Sequence, residues 1–399
     1  MMPGSARPMR LALPVGLLAC LARPSGTAAA QSVGVPLTPE AWIATDSIRF
    51  EPYLGRPSLY IGRGVALARD FSLENGTLEL DLAATPATSF LGAAFRAASP
   101  TFSNVVFFRP GSSGTVEAVQ YGPAFNGVGV AWQVYHGGAG VAWQAYRDGG
   151  ANAVADVPRE RWVHLRIELD GPVARVFFDT AIAPTLVVPR VVASGAGGFG
   201  VWAGAFGRGA YFSNIRFTPA PATTAAAPRA SLPAGTIERW ELSDAIDATD
   251  FTPAVLPDLA RLRWTRVEPE PEGFVLVNRY RAAPAGNLPM DSSGAILADS
   301  VMTARFAGAK VVYARTTVTA ERDGIRRMQY GYSNGVVVYA NGRPLVMGMN
   351  PGGLRKGIGV MATAGDAVYL PLKRGPNEIV LAVLELTGGW AFWARLDPA

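Results

Sequence analysis

Two acidic side chains occupy alternate positions in one short segment of the sequence. Glu79-Leu80-Asp81 lies in a run of alternating polar and apolar residues, and side chains two positions apart on a β-strand point to the same face. Two carboxyl groups about 5 to 5.5 Å apart can act as the nucleophile and the acid that hydrolyse a glycosidic bond with retention. We interpret Glu79 and Asp81 as an ordinary polar strand face and assign no catalytic residue; if the protein is an enzyme, these two are the candidate catalytic residues.

A local repeat combines aromatic rings with side-chain amides. The sequence Val-Ala-Trp-Gln at 130–133 recurs at 141–144, and a Gly-rich turn at 137–140 separates the copies. If the two strands pair about that turn, one face carries rings that can stack on sugar C–H groups, beside amides that can bind hydroxyls. The candidate ligand-binding residues on that face are Gln133, Tyr135, Gln144 and Tyr146. The same residue types also occur on solvated strand faces.

The sequence contains no familiar catalytic motif of another type. The two histidines, His136 and His164, lie on different predicted hairpins and have no zinc-binding spacing. His164 is expected to be a half-exposed strand residue. The stretch 111–114 reads as a turn rather than a nucleophile elbow, and no phosphate-binding loop precedes a helix. We therefore expect no cofactor.

The metal content stays open at this point. Asp244, Asp247 and Asp250 are spaced by three residues and could contribute to a calcium site, but no Asp-rich loop with a central glycine surrounds them. A structural Ca²⁺ is compatible with the sequence, and no ligand set is assigned.

Short alternating segments separated by turn residues must position these side chains. The clearest hairpin spans 162–179, where Asp170-Gly171 is expected to form a type I′ turn. In the expected register, core-facing residues of the first strand pair with core-facing residues of the second. These are Val163, Leu165 and Ile167 opposite Phe178, Val176 and Ala174.

The same pattern continues toward the C-terminus. A strand is expected at 310–320, and Asn341-Gly342 is expected to close another tight hairpin. The aromatic cluster at 390–393 is interpreted as core or inter-domain packing rather than as a ligand site.

Composition favours a β-rich folded chain. The 399 residues include 45 Gly and 31 Pro, which disfavour helix interiors, and 49% hydrophobic residues against 17% charged ones, which is too apolar for a disordered chain. No internal stretch approaches the roughly 18 apolar residues of a membrane-spanning helix. The predicted fold class is all-β, with two antiparallel β-sandwich (jelly-roll) domains in tandem.

The charge balance argues against a nucleic-acid partner. The formal net charge is +5, but the first 30 residues contribute Arg7, Arg10 and Arg23 and no acid, which leaves 33 basic against 31 acidic residues. A polyanion-binding chain normally carries a clustered basic excess.

The N-terminus has the order of an export signal. Arg7 and Arg10 precede an apolar run at 11–22, and small residues end at Ala30, so cleavage near Ala30 and a periplasmic or extracellular location are expected. The alternative is a lipid anchor at Cys20, the single cysteine, because Leu-Leu-Ala-Cys resembles a bacterial lipobox.

These observations divide the chain into four parts. They are a signal peptide at 1–30, a first sandwich at 31–218, a Pro/Ala/Thr linker at 219–233 and a second sandwich at 234–399. The linker assignment depends on the lack of apolar periodicity and large side chains in that stretch.

The first sandwich resembles concanavalin A-like, laminin G-like jelly rolls, and among them the 3-keto-disaccharide hydrolase-like family. The matching segments are 78–81, 90–96, 107–110, 119–121, 161–166 and 211–217. Glu79-Leu80-Asp81 also resembles the Glu-x-Asp-x-Glu signature of laminarinase-like hydrolases, although Ala83 stands where that signature has its last carboxylate. The resemblance implies sugar handling on the concave face, which adds Arg109, Gln120 and Tyr121 to the candidate ligand-binding residues.

The second sandwich resembles the galactose-binding-like domains attached to glycoside hydrolases, on the segments 336–342, 372–378 and 388–390. Three functions follow as hypotheses. The first is an exported, non-catalytic protein that binds a glycan or polysaccharide with both modules. The second is a saccharide hydrolase or lyase of the keto-disaccharide type that uses Glu79 or Asp81. The third is an envelope module that holds a protein partner.

Overall fold

The computed structural model describes most of the chain after the predicted signal peptide. The described residues are 31–126, 128–129, 152–189, 191, 195–204, 209–225, 231–270, 273–282, 309–349, 366–385 and 390–398. Strands and short 3₁₀ turns make up their regular structure, and no α-helix occurs among them. The predicted all-β class is confirmed.

Sixteen strands are formed by the described residues between 33 and 219. They are β1 (Val33–Gly34), β2 (Trp42–Ala44), β3 (Ile48–Tyr53), β4 (Arg56–Ile61), β5 (Gly64–Ala68), β6 (Gly76–Ala84), β7 (Leu91–Ser99), β8 (Phe102–Phe108), β9 (Val119–Phe125), β10 (Val128–Gly129), β11 (Asn152–Ala153), β12 (Trp162–Asp170), β13 (Val173–Phe178), β14 (Leu186–Val188), β15 (Gly198–Ala203) and β16 (Ala210–Pro219). The 3₁₀ turns of this half are Pro39–Ala41 and Pro110–Ser112.

These strands form two antiparallel sheets that face each other. Sheet I has the order β14-β13-β12-β6-β16-β4-β3, with β1 also paired to β16. Sheet II has the order β10-β9-β8-β7-β15-β5-β2, with β11 also paired to β9. Neighbours in each sheet are often distant in sequence, as expected of a jelly-roll sandwich.

The core of the first sandwich lies between the two sheets. Leu78, Leu80 and Leu82 alternate along β6 and are almost completely buried, so the polar residues between them face away from the core. Aromatic pairs join the sheets: the rings of Phe108 and Phe178 stack with centroids 4.2 Å apart. The burial of this alternating set holds sheet I in a fixed register.

The hairpin at 162–179 forms, but its register differs from the expected one. Asp170 pairs with Val173, so the two-residue turn is Gly171-Pro172, and Gly171 supplies the positive φ of 57°. Leu165 therefore lies opposite Phe178, two positions from the expected partner of that phenylalanine. Proline cannot extend the antiparallel ladder at this point and has a fixed negative φ, so the turn closes one residue later than the Asp-Gly pattern indicates.

In the described part of the chain between residues 240 and 396, eleven strands occur. They are β17 (Trp240–Ser243), β18 (Ile246–Asp247), β19 (Trp264–Val267), β20 (Val275–Leu276), β21 (Lys310–Ala320), β22 (Gly324–Tyr332), β23 (Gly335–Ala340), β24 (Arg343–Met349), β25 (Asp366–Leu372), β26 (Gly375–Glu385) and β27 (Ala391–Leu396). The 3₁₀ turns here are Ala248–Asp250, Leu259–Arg261 and Val277–Arg279.

These strands form a second sandwich. Sheet III has the order β19-β17-β21-β26-β23-β24, with β18 also on β21, and sheet IV has the order β20-β27-β22-β25. Their shared core contains Trp240 against Phe392, with ring centroids 5.1 Å apart. Two expectations are confirmed here: β21 spans the predicted strand, and Asn341-Gly342, both with positive φ, closes the β23–β24 hairpin.

A buried aromatic contact joins the two sandwiches. Phe125 at the end of β9 packs with Phe274 and Trp393 of the second sandwich, and Asn126 donates from Nδ2 to the Asn278 carbonyl at 2.6 Å. Trp390 is completely buried in the second core. The prediction that the aromatic cluster at 390–393 serves packing is confirmed.

The start of the predicted linker is hydrogen-bonded to the first sandwich. Thr223 and Thr224 both donate their main-chain N–H and their hydroxyl to the Asp170 carboxylate. Within the described part of the chain, no helix is long and apolar enough to cross a membrane.

Candidate functional site

The outward face of sheet I carries the candidate site. On β6, Glu79 and Asp81 lie on the side opposite to the buried leucines, as the alternation along the strand requires. On the neighbouring strand β12, His164 lies directly opposite Asp81, and Arg166 lies opposite Glu79. Strand register therefore brings a histidine between the two predicted carboxylates.

His164 contacts both acidic residues. Its Nδ1 lies 2.8 Å from Asp81 Oδ1, and its Nε2 lies 3.3 Å from Glu79 Oε1. The His164 side chain is 38% exposed. The expectation that it is a half-exposed strand residue is confirmed, and the structure adds that it bridges two carboxylates.

Two arginines complete a continuous row of charges. Arg216 on β16 donates from Nε and Nη2 to the two oxygens of Glu79, at 3.1 and 2.9 Å. Arg56 on β4 donates from Nη1 to Asp81 Oδ2. The order Arg56, Asp81, His164, Glu79 and Arg216 is called the ionic row here, and each of its members contacts an opposite charge when His164 is protonated.

A bulge in β16 brings Asn214 to the same row. The pairing of β16 with β6 shifts between Ser213 and Arg216, and Asn214 has a φ of 50°. Asparagine tolerates this left-handed conformation better than most residues. Its Nδ2 donates to Asp81 Oδ2 at 2.6 Å, so the bulge adds a neutral donor to the carboxylate.

An aromatic patch adjoins the Asp81 end of the row. The rings of Tyr53 and Tyr211 stack with centroids 3.9 Å apart and planes 4° from parallel. Trp162 meets Tyr53 edge to face at 6.1 Å, and Tyr60 lies 4.9 Å from Tyr211. All four side chains are partly exposed, which is unusual for so much aromatic area in one place.

Hydrogen bonds and one cation–π contact fix the patch to the row. The Arg56 guanidinium, which binds Asp81, also lies 5.5 Å from the Trp162 ring centroid. The indole Nε1 of Trp162 donates to the Tyr53 carbonyl at 3.3 Å, and the Tyr211 hydroxyl donates to Glu51 at 2.9 Å. The rings and the charges therefore form one pre-arranged surface.

Contacts within the ionic row shift the pKa of its titratable members. Partial burial would raise the pKa of both carboxyls, but Arg216 and His164 lower the pKa of Glu79, and His164, Asn214 and Arg56 lower that of Asp81. The hydrogen bond to Asp81 raises the pKa of His164 against the effect of burial, and Glu79 adds to the rise. Both carboxylates are thus ionised near neutral pH.

This state has a chemical consequence. Glycoside hydrolysis needs one carboxyl group that holds a proton to give to the leaving group. Glu79 and Asp81 are both held in the ionised form, and a protonated His164 donates one N–H group to each of them. The surface offers fixed hydrogen-bond donors and acceptors beside flat rings, which is the chemistry of hydroxyl and C–H recognition.

The described residues include no metal centre. No group of three or more His, Cys, Asp or Glu side chains among them is arranged to hold an ion. Asp244 pairs with Arg263 at 2.7 Å, and Asp247 pairs with Lys310 at 2.6 Å. These two carboxylates thus contact cationic side chains, and no calcium ligand set is assigned to them.

The other predicted binding residues do not join the ionic row. Arg109 pairs with Glu117 and lies over the Phe90 ring at 5.3 Å. Tyr121 differs from the expected exposed position, because its ring is 4% exposed in the core and its hydroxyl donates to Asn104. Gln120 is 2% exposed, and no donor among the described residues reaches its Oε1. The predicted platform of Gln133, Tyr135, Gln144 and Tyr146 lies outside the described residues.

Local sequence patterns do not reveal most of this surface. Arg56, Asn214, Arg216, Tyr53 and Tyr211 all belong to it, and none was a candidate residue. The alternation in Ile215-Arg216-Phe217 indicated an outward Arg216, since both neighbours are core residues. Its partner Glu79 lies 137 residues away in the chain, a pairing that no local pattern reveals.

Comparison with known proteins gives limited similarity. No family model and no curated protein matches the chain. Among solved structures, the chain is similar to a carbohydrate-binding module from Bacillus subtilis, with 13% identity over 45% of this chain and 96% of that one and a TM-score of 0.33. It is also similar to a putative glycosyl hydrolase from Parabacteroides distasonis (10% identity, 45% and 88% coverage, TM-score 0.30) and to a β-glucanase from Bacillus licheniformis (13%, 48% and 99%, 0.29). TM-scores of this size assign neither a family nor an activity.

Proposed function

We propose that this protein is a non-catalytic carbohydrate-binding protein and that the outward face of sheet I contacts the sugar. One observation carries this proposal: a stacked aromatic patch and a fully paired ionic row form one fixed surface. A sugar ring presents C–H groups on its faces and hydroxyls at its edge. The rings of the aromatic patch can stack on the C–H groups, and the polar atoms of the ionic row can bind the hydroxyls.

The pairing within the row favours a neutral sugar. Each carboxylate is already neutralised by cationic contacts, so the row has little to gain from an added anion or cation. The remaining lone pairs of Glu79 and Asp81 and the remaining N–H groups of Arg56 and Arg216 can still bind hydroxyls. Because the network exists before binding, little side-chain entropy is lost when a sugar arrives.

Glycan-array binding followed by calorimetry tests the proposal. Trp162→Ala should weaken binding of the captured glycan by roughly 1 to 3 kcal/mol, which is about 5- to 150-fold in Kd. Trp202→Ala is the matched control, because Trp202 is also partly exposed but belongs to sheet II. Equal affinity of the Trp162→Ala variant and the wild type would contradict the assignment of this face.

A hydrolase or lyase is the second candidate, because a histidine bonded to an aspartate is a frequent acid–base element. The contact between His164 and Asp81 at 2.8 Å is the observation in its favour. A turnover assay on poly- and disaccharides, including 3-keto forms, tests it. Product that forms with the wild type and is lost with Asp81→Asn would replace the binding proposal, whereas binding without product supports it.

We also propose that the chain has the domain division predicted from its sequence and that each domain belongs to the fold type it resembles. Residues 31–218 form a concanavalin A-like, laminin G-like domain and residues 234–399 a galactose-binding-like domain, joined by the linker at 219–233. The grouping of the strands supports this division, because sheets I and II use only strands before residue 220 and sheets III and IV only strands after residue 239. Limited proteolysis that cuts first between 225 and 233 would agree with it.

Export is the last part of the proposal. The order of charged, apolar and small residues before Gln31 supports a cleaved signal and a periplasmic or extracellular protein. N-terminal sequencing of the native protein tests this: a start near Gln31 agrees with cleavage after Ala30, whereas a lipid-modified Cys20 at the N-terminus would show the alternative anchor.

A further inference from the structure

A groove lies at one end of the second sandwich, beside the connection between β21 and β22. Its volume is about 840 Å³, which is within the usual size range of small-molecule sites. This groove is called the terminal groove here. Its chemistry is carried by Arg322, Ile325, Arg326, Arg327, Tyr369 and Asp397, which all line it.

Two large apolar side chains are exposed next to each other in the terminal groove. Tyr369 on β25 is 66% exposed and Ile325 on β22 is 76% exposed, while Val368 and Leu370 on either side of Tyr369 are buried in the core. β25 pairs with β22 alone among the described strands. A single exposed tyrosine needs no explanation. Here the ring lies beside an exposed isoleucine, and the two side chains form a small apolar platform.

A fixed polar network lies beside this platform. Arg327, which is directly opposite Tyr369 in the strand register, donates to Asp397 Oδ2 at 3.0 Å. Gln329 donates to the other oxygen of Asp397 at 3.0 Å, and Arg326 donates from Nε to the Asp397 carbonyl at 2.9 Å. Several side chains are thus oriented before any ligand binds.

The charge of the terminal groove differs from that of the ionic row. Its lining includes three guanidinium groups, of Arg322, Arg326 and Arg327, but only two carboxylates, of Glu321 and Asp397. Arg322 is exposed and forms no ion pair with any residue that the structure describes. A guanidinium with unused N–H donors is well suited to a carboxylate or a sulfate, which it can bind through two parallel hydrogen bonds.

We infer that the terminal groove binds an acidic sugar residue, one that carries a carboxylate or a sulfate. Arg322 and Arg326 bind the anionic group, and the C–H face of the sugar lies on Tyr369 and Ile325. The inference goes beyond the proposed function, because it adds a second site on the other sandwich with a different ligand charge.

The location of the recognition groups favours a saccharide over an acidic peptide. An extended peptide would pair with the edge of β25 that no described strand covers. The groups that distinguish the terminal groove are instead a ring and guanidinium groups on side chains. A ligand with a flat C–H face and a single charged substituent uses all of them.

Binding of matched acidic and neutral oligosaccharides tests the inference on the full-length protein. The probes are trimers of galacturonic acid and of glucuronic acid and a sulfated galactose trimer, each with its methyl-esterified or unsulfated counterpart. We expect at least one acid to bind about tenfold more tightly than its neutral form, and the difference to shrink in 0.5 M NaCl. No preference for any acid over its neutral form would overturn the inference.

Variants locate the site. Arg322→Ala should remove most of the preference for the acid, and Tyr369→Ala should weaken the acid and its neutral form by a similar factor. Arg261→Ala is the control, since Arg261 is also an exposed arginine but lies outside the groove. Trp162→Ala should leave the preference for the acid over its neutral form unchanged, which separates this inference from the sheet I proposal. Tighter binding of a poly-glutamate peptide than of every acidic sugar would also overturn it.

Discussion

His164 Nδ1 lies 2.8 Å from Asp81 Oδ1, in a pair formed by directly opposite residues of two neighbouring strands. The two residues are 83 positions apart in the sequence. The other ring nitrogen lies within hydrogen-bond distance of Glu79. The protonated imidazole therefore donates one hydrogen bond to each of two carboxylates. The protonation state of one histidine therefore controls the electrostatics of the whole ionic row.

The first prediction concerns pH. The pKa of His164 is raised above its ordinary value of 6.5, so the folded state holds the proton more tightly than the unfolded chain does. The stabilisation is fully present below pH 6.5 and is lost as pH rises through the folded pKa. Asp81, with a pKa lowered from 3.8, contributes stabilisation above that pH that is lost as pH falls through its own folded pKa. Thermal unfolding should give the highest Tm between these limits.

The control for the pH prediction is His164→Gln, which keeps a polar side chain but removes the titration. Its Tm should change less than that of the wild type between pH 6 and pH 9. The chain has two histidines, so an NMR titration with His136→Asn assigns the His164 resonance without ambiguity. A His164 pKa at or below 6.5 would contradict the predicted direction.

The second prediction concerns the bulge at Asn214. Asn214→Gly keeps the left-handed backbone accessible but removes the hydrogen bond to Asp81, whereas Asn214→Ala removes the bond and also strains the backbone at φ 50°. Both variants should weaken glycan binding equally, and Ala should lower the free energy of unfolding by about 1 kcal/mol more than Gly. Urea unfolding and calorimetry measure the two effects. Equal stability of the two variants would show that the backbone strain is absent.

The third prediction compares two isoleucines in the first sandwich. Ile61 is completely buried and Ile182 is 96% exposed. Ile61→Ala should reduce the free energy of unfolding by about 2 to 5 kcal/mol, because it removes apolar contacts and leaves a cavity. Ile182→Ala should change it by no more than about 0.5 kcal/mol. Denaturant unfolding of both variants gives the comparison, and similar losses would contradict the described core.

The fourth prediction concerns two glycines with positive φ. Gly171 has a φ of 57°, and a Cβ there would meet the Thr224 carbonyl oxygen at 2.1 Å, whereas Gly55 has a φ of 75° and open space around it. Gly55→Ala should cost about 1 to 2 kcal/mol for the left-handed conformation alone. Gly171→Ala should cost more and should also increase cleavage by protease near Thr224. Equal losses of stability would show that the segment after β16 moves away from the new Cβ without a loss of free energy of unfolding.

The sequence predicted the sheets better than their connections. Alternating leucines on β6 and the Asn341-Gly342 turn are local signals, and both led to correct elements. The turn after β12 was misplaced because Asp170-Gly171 matches a common hairpin pattern, whereas Pro172 cannot extend the ladder and moves the turn to Gly171-Pro172. The main-chain N–H and the hydroxyl of Thr223, from beyond β16, then bind the Asp170 carboxylate at the end of β12.

The site was predictable only in its centre. Glu79 and Asp81 were identified by their spacing, and the strand alternation placed His164 on a half-exposed face. Arg56 lies on β4 and Arg216 lies on β16. In sheet I, β16 is next to β6 and β4 is next to β16, and this order exists only in the folded chain. Charge complementarity between distant strands depends on that order, and the order is set by the burial of the whole core.

The contact between the sandwiches also determines how the protein can be divided for study. Phe125 and Phe102 at the end of sheet II are covered by Phe274, Leu276 and Trp393. A fragment that ends before residue 231 would expose these two phenylalanines to water, and it would be prone to self-association. Replacing Phe125 with a polar residue in such a fragment is therefore a sensible first step toward expressing the first sandwich in soluble form.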